Sequence, residues 1–131
     1  MEVRVDLSRI IIQDKTQQQI IVLKEREGER AFPIVIGDTE AAAIDRRLKG
    51  VRQPRPMTHD LLSDIIERLE AELEKIVIHD LKDHTFFAKL LIRHNGGIVE
   101  VDSRPSDAIA LGVAAKTPIF VEEDVLREVC G

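Results

Sequence analysis

Asp102, Ser103, Arg104, Ser106 and Asp107 fall within six residues, where a β-rich stretch gives way to a run of small apolar residues. Pro105 among them belongs in a first helical turn, because its missing N–H is one that a helix start leaves unpaired in any case. The segment therefore predicts a helix start, with Asp102 and Ser103 as natural capping side chains. Such a start gathers free backbone N–H groups and the positive end of the helix dipole at one point, a geometry that receives an anion such as phosphate. The same residues also describe an ordinary well-capped helix. In that reading Asp102 only caps, and Arg104 pairs with Asp107 across one turn.

A second stretch with chemical potential lies at residues 46–56. It holds Arg46, Arg47, Lys49, Arg52 and Arg55 with no acid among them, in a chain of 19 lysines and arginines against 24 acids. A net charge of −5 argues against an evenly basic nucleic-acid binder, but phosphate binding needs only a local patch. A solvated face or ion pairs to a neighbouring subunit would use the same residues. Four phenylalanines and no tyrosine or tryptophan leave little for base stacking.

Other catalytic signatures are missing. His59, His79, His84 and His94 lack zinc-helix spacing, and Cys130 is the only cysteine, which excludes an internal disulfide and a cysteine-rich zinc site. His94 reads as part of a hairpin turn, and His79 and His84 as strand ends. No P-loop, dinucleotide fingerprint or G-x-S-x-G occurs. At 131 residues, with 44% hydrophobic and 33% charged residues, the chain predicts one folded domain with a proper core. No apolar run approaches the roughly 18 residues needed to cross a membrane, and the expected compartment is the cytosol.

The elements that must carry these residues follow from periodicity. Val3, Val5 and Leu7 alternate with polar residues as in a half-buried strand, running on through Ile10 to Ile12. Residues 13–16 read as a turn, and strands follow at residues 20–23 and 31–36. Pro33 in the latter predicts an edge position or a bulge. Asp38 or Thr39 caps a helix over residues 40–48, which Gly50 closes. Pro54 and Pro56 make residues 51–57 an extended linker. Thr58 caps a second helix, in which Leu61, Ile65, Leu69 and Leu73 recur every four residues to form an amphipathic pattern. Strands are expected at residues 76–78, 86–92 and 98–101, the last two joined by a hairpin at His94-Asn95-Gly96-Gly97. The apolar central helix follows, then a strand at residues 119–121 and a last helical turn or two. The order βββααβββαβα predicts an α+β single domain over residues 1–131, with a mixed or antiparallel sheet and three main helices.

Taken in order, PIVIG (33–37), EAAAI (40–44), PRPMTHDLL (54–62), FFAKL (86–90), VDSRPSDAIALGVA (101–114) and PIFV (118–121) make the chain resemble the bifunctional nuclease domain family along essentially its whole length. The resemblance implies an oligomeric domain with nuclease activity on DNA and RNA. It carries over the motif positions Gly37, Glu40, Arg55, Pro56, Thr58, His59, Asp60, Asp102, Arg104, Ser106 and Asp107 without assigning their roles. Some members carry an added C-terminal helical-hairpin module, which this chain is expected to lack.

Phosphodiester hydrolysis needs an activated water, neutralised phosphate charge and support for the leaving oxygen. On this expectation Asp60, His59, Asp102 and Asp107 are catalytic, His59 serving as acid or base. Arg104 and Ser106, with Arg47, Arg52 and Arg55, bind phosphate. Glu40, Asp102 and Asp107 hold Mg²⁺ or Mn²⁺, and no organic cofactor is expected. The expected function is a metal-assisted nuclease of low sequence specificity, with DNA or RNA as partner. The alternative is a non-catalytic oligomeric binding or scaffold domain whose motif residues hold an anion or a protein partner. The acidic body and scarce aromatics favour that alternative.

Overall fold

Alternating apolar residues build the first three strands, β1 (Glu2–Ile11), β2 (Gln18–Glu25) and β3 (Ala31–Gly37), which pair as an antiparallel meander. The computed structural model describes every residue except Asp14, Thr16 and Gln17, so the turn expected at residues 13–16 lies partly outside the described residues. Two helices follow, α1 (Asp38–Leu48) and α2 (Thr58–Arg68). A second antiparallel meander comes next, β4 (Glu72–Lys82), β5 (Thr85–His94) and β6 (Gly97–Ser103). Helix α3 (Pro105–Gly112) and a 3-10 turn (Val113–Ala115) lead to β7 (Ile119–Glu122) and α4 (Glu123–Cys130). The element order is the expected one for an α+β domain. The closing helical turn is a fourth helix of eight residues.

The seven strands form one sheet in the order β3-β2-β1-β7-β4-β5-β6. Strand β7 joins the two meanders, pairing antiparallel with β1 and parallel with β4, which makes the sheet mixed. Pro33 sits on edge strand β3, where its missing N–H costs the ladder nothing. The sheet curls strongly. Phe32 on β3 and Phe86 on β5 stack with ring centroids 5.6 Å apart, although four strands separate them in the sheet. The curl wraps α3, whose residues other than Asp107 are all buried, as its unbroken apolar run requires. Small residues on α1 (Ala41, Ala43) and α3 (Ala108, Ala110) are buried as well, and let the two helices pack closely over the sheet.

Helix α2 departs from its pattern in two ways. It ends at Arg68 because Glu70 adopts φ +58, with Glu70 N–H donating to Glu67 O and Ala71 N–H to Ile66 O, a Schellman stop. Leu73 therefore belongs to β4. The row expected to pack inward also stays uncovered, since Leu61, Leu62, Ile65 and Leu69 are 41–61% exposed. Only His59 is fully buried on this helix, with Ile66 partly buried against the core. No helix among the described residues is long and apolar enough to cross a membrane.

Candidate functional site

The N-terminus of α3 carries the motif residues as a group, but not through the caps expected. Arg104 occupies the N-cap position and Pro105 is N1, while Ser103 Oγ donates to Arg104 O at 2.9 Å. Asp102 lies on β6 opposite Lys89, one residue from Ser103, which faces the buried Ala88 beneath α3. The strand pleat thus turns Asp102 to the sheet face away from the helix. It neither caps α3 nor joins Asp107, contrary to both expected roles.

Arg104 is held by two carboxylates. Its Nε donates to Asp107 Oδ2 at 2.9 Å and its Nη2 to Glu40 Oε2 at 3.1 Å. These partners hold the guanidinium proton more firmly than usual, Asp107 first and Glu40 next. Nη1 has no partner among the described residues, so one edge of the guanidinium remains open. Glu40 reaches Arg104 by bending back over Gly37, where a Cβ would meet Glu40 Oε1. Glycine leaves room there for the Glu40 carboxylate in this position. On its other side Asp107 Oδ1 accepts from His59 Nε2 at 3.0 Å, and His59 is buried. A carboxylate can only accept, so this bond commits Nε2 as the protonated nitrogen.

The expected metal set does not assemble. Asp102 points elsewhere, Arg104 stands between Glu40 and Asp107, and no trio of His, Cys, Asp or Glu among the described residues is arranged to hold a metal ion. As arranged, these donors do not fit a carboxylate-held Mg²⁺ or Mn²⁺.

Arg47 and Asp60 form a separate unit beside the other end of α3. Arg47 is buried, its Nε donating to Ala110 O at 2.7 Å and its Nη2 to Leu111 O at 3.0 Å, while its Nη1 pairs with Asp60. It therefore caps the last carbonyls of α3 and is not available to phosphate as expected. Asp60 also accepts from Met57 N–H at 3.1 Å, closing the first turn of α2. Burial alone would raise the Asp60 carboxyl, but the Met57 N–H and the Arg47 guanidinium outweigh it and hold the group below its ordinary value of 3.8. Both its oxygens are occupied, which fits a staple better than a catalyst. Arg52 and Arg55 lie exposed on the linker and make no ion pair among the described residues.

Ser106 completes the first cluster. It is only 5% exposed, but the polar side-chain atoms buried without a partner among the described residues are Arg4 Nε and Arg46 Nε, not its hydroxyl. It opens into a cleft of about 390 Å³ between the edge strand β3 (Pro33 through Gly37), the turn leading into β5 (His84 through Phe86), and Arg104 through Ser106. The free N–H groups of Ser106 and Asp107, at the second and third positions of α3, point the same way. Two carboxylates against one guanidinium leave this corner short of positive charge. Recognition of a phosphate there rests on donor geometry more than on net charge.

The sequence missed His84. It appeared as a strand end, but it lines this cleft opposite Arg104 and Ser106, whereas His59 does not. A shorter turn between β4 and β5 than expected brings it there.

A family model described as the bifunctional nuclease domain matches residues 21–130. An uncharacterized protein of Mycobacterium tuberculosis strain H37Rv is 42% identical over 119 residues, covering 91% of this chain and 71% of that protein. Bifunctional nuclease 1 of Oryza sativa subsp. japonica is 25% identical over 118 residues, covering 87% of this chain and 36% of the rice protein. Bifunctional nuclease 2 of Arabidopsis thaliana is 27% identical over 107 residues, covering 79% of this chain and 32% of that protein. The matches span about a third of each plant protein.

Proposed function

The chain belongs to the bifunctional nuclease domain family, and on that premise we propose that it hydrolyses phosphodiester bonds of DNA or RNA, with low sequence specificity, in the cleft at the start of α3. The observation that carries the reading is that Ser106 and the open edge of Arg104 line one cleft at the start of α3. In this reading Ser106 Oγ and the first free N–H groups of α3 hold a non-bridging phosphate oxygen. Arg104 neutralises the charge that grows on phosphate in the transition state. Glu40 and Asp107 fix the direction of the guanidinium, and His59 fixes Asp107. All these donors address phosphate, which every nucleotide carries, so sequence is read little.

The test is cleavage of labelled single-stranded DNA, duplex DNA and RNA, with Mg²⁺, Mn²⁺ or EDTA, by wild type and Ser106→Ala purified identically. Removing one hydroxyl from the cleft wall should leave Tm nearly unchanged, while cleavage falls by about 10²-fold. Equal cleavage by both preparations would defeat the reading. The competing role, a non-catalytic anion-binding domain, draws on the two carboxylates that already hold Arg104. It predicts filter binding of nucleic acid that weakens in Ser106→Ala, with no cleavage by either protein.

We further propose that the uncovered row of α2 is closed by a second copy of this chain. Leu61, Ile65 and Leu69 recur every four residues, so two antiparallel α2 helices about a twofold axis place Ile65 on Ile65 and Leu61 on Leu69. Wild type should run as an oligomer in light scattering, and Ile65→Asp should halve its mass or more without unfolding it. A monomeric wild type at micromolar concentration would remove this contact from consideration.

A further inference from the structure

The two-residue turns of the second meander make a natural comparison. Between β5 and β6 stand Asn95 and Gly96, at φ +51 and +80, the residue pair that suits a turn with two left-handed positions. Between β4 and β5 the same conformation is held by Asp83 and His84, at φ +49 and +65. A histidine in the second left-handed position costs conformational energy that glycine there would not. That cost falls on a side chain lining the cleft across from Arg104 and Ser106. No other histidine lines this cleft. His59 is buried on Asp107, and His79 and His94 sit elsewhere on β4 and β5.

We propose that His84 is the proton donor of the cleft, the general acid that serves the leaving oxygen of a phosphodiester held by Ser106 and Arg104. The proposal rests on the nuclease reading of this site and deepens it. The oxygen of a water molecule bonds to phosphorus as the bond from phosphorus to the leaving nucleotide oxygen breaks. The His84 imidazolium gives its proton to that oxygen, so the nucleotide departs as an alcohol. The proton shed by the attacking water passes to solvent, from which His84 is recharged. Along the cleft wall Arg104 is the other charged group, and Asp83 and Lys82 flank His84 in the chain. An exposed imidazole on a tight turn has the access and freedom to reach a leaving oxygen, which the buried His59 lacks.

The turn itself supplies a clean test. Glycine suits the left-handed position, so His84→Gly removes the imidazole while keeping, or slightly strengthening, the hairpin. Its kcat should fall by about 10²-fold or more, with a smaller change in KM, and imidazole added to the buffer should restore part of the rate. His84→Asn, which also tolerates this backbone, should show the same loss with no rescue. His79→Gln should cleave like wild type. If His84→Gly cleaves like wild type while Ser106→Ala is impaired, the cleft remains the active site and His84 is not its acid. If His84→Gly and Ser106→Ala both match wild type, the nuclease reading of the cleft fails and the assignment of His84 falls with it. A loss in His84→Gly that imidazole leaves untouched, together with a lowered Tm, would reduce His84 to a turn residue.

Discussion

Arg47→Leu is expected to destabilise the fold by about 3–5 kcal/mol, because the change strands polar groups that have no other partner. Ala110 O and Leu111 O lose their donors at the end of α3, and the Asp60 carboxylate is left beside an apolar side chain. For a chain of this length the loss corresponds to a drop in Tm of roughly 10–20 °C. Arg47→Lys should recover only part of it, since one ammonium cannot reproduce a planar fork serving two carbonyls and a carboxylate. Acid titration adds a second signature. The Asp60 carboxyl is depressed in the folded protein, so its stabilising contribution is complete above the ordinary value of 3.8 and lost as pH falls below it through the folded value. The urea midpoint of wild type should therefore fall more steeply than that of Arg47→Leu on the acid side. Equal slopes would mean that the pair does not set that limb.

Arg104→Ala should do the opposite, abolishing activity in a protein that still folds. The side chain is 65% exposed, and an ion pair that open to water contributes at most about 1 kcal/mol. Removing it nonetheless takes away the single cation at the phosphate position and leaves Glu40 and Asp107 facing the substrate as bare carboxylates. Cleavage should fall by about 10²–10³-fold, with the far-UV spectrum unchanged. Arg104→Lys should rescue little, because a lysine cannot bridge both carboxylates and still present a second edge outward. Wild-type cleavage by the alanine protein would move the reaction away from the start of α3.

Much of this architecture was legible in the sequence wherever a residue type announced its own backbone. Gly50, at φ +69, ends α1 with bonds from Gly50 N–H to Arg47 O and Val51 N–H to Arg46 O. Helix α2 stops by the same motif, but with Glu70 in the glycine position, so its apolar period seemed to continue into Leu73. The two hairpins repeat the lesson. Asn95-Gly96 declared a turn, whereas Asp83-His84 did not, and His84 consequently went unnoticed as a site residue. The start of α3 was foreseen as a meeting point of Arg104, Ser106 and Asp107. Its neighbours were not separable by composition alone. Five basic residues close in sequence divide into Arg47, a buried cap for α3, a half-buried Arg46, the exposed linker residues Arg52 and Arg55, and Lys49 paired with Asp45. Only tertiary packing distinguishes them.

The strand that joins the two meanders is the last of the seven to be synthesised. Each meander can close on itself as soon as it leaves the ribosome, since its pairings are local in sequence. Neither can find the other until β7 emerges to lie between β1 and β4. From the synthesis of β4 until that of β7 the nascent chain therefore carries two open sheet edges at what will become the middle of the finished molecule, where they are able to pair with whatever strand is near.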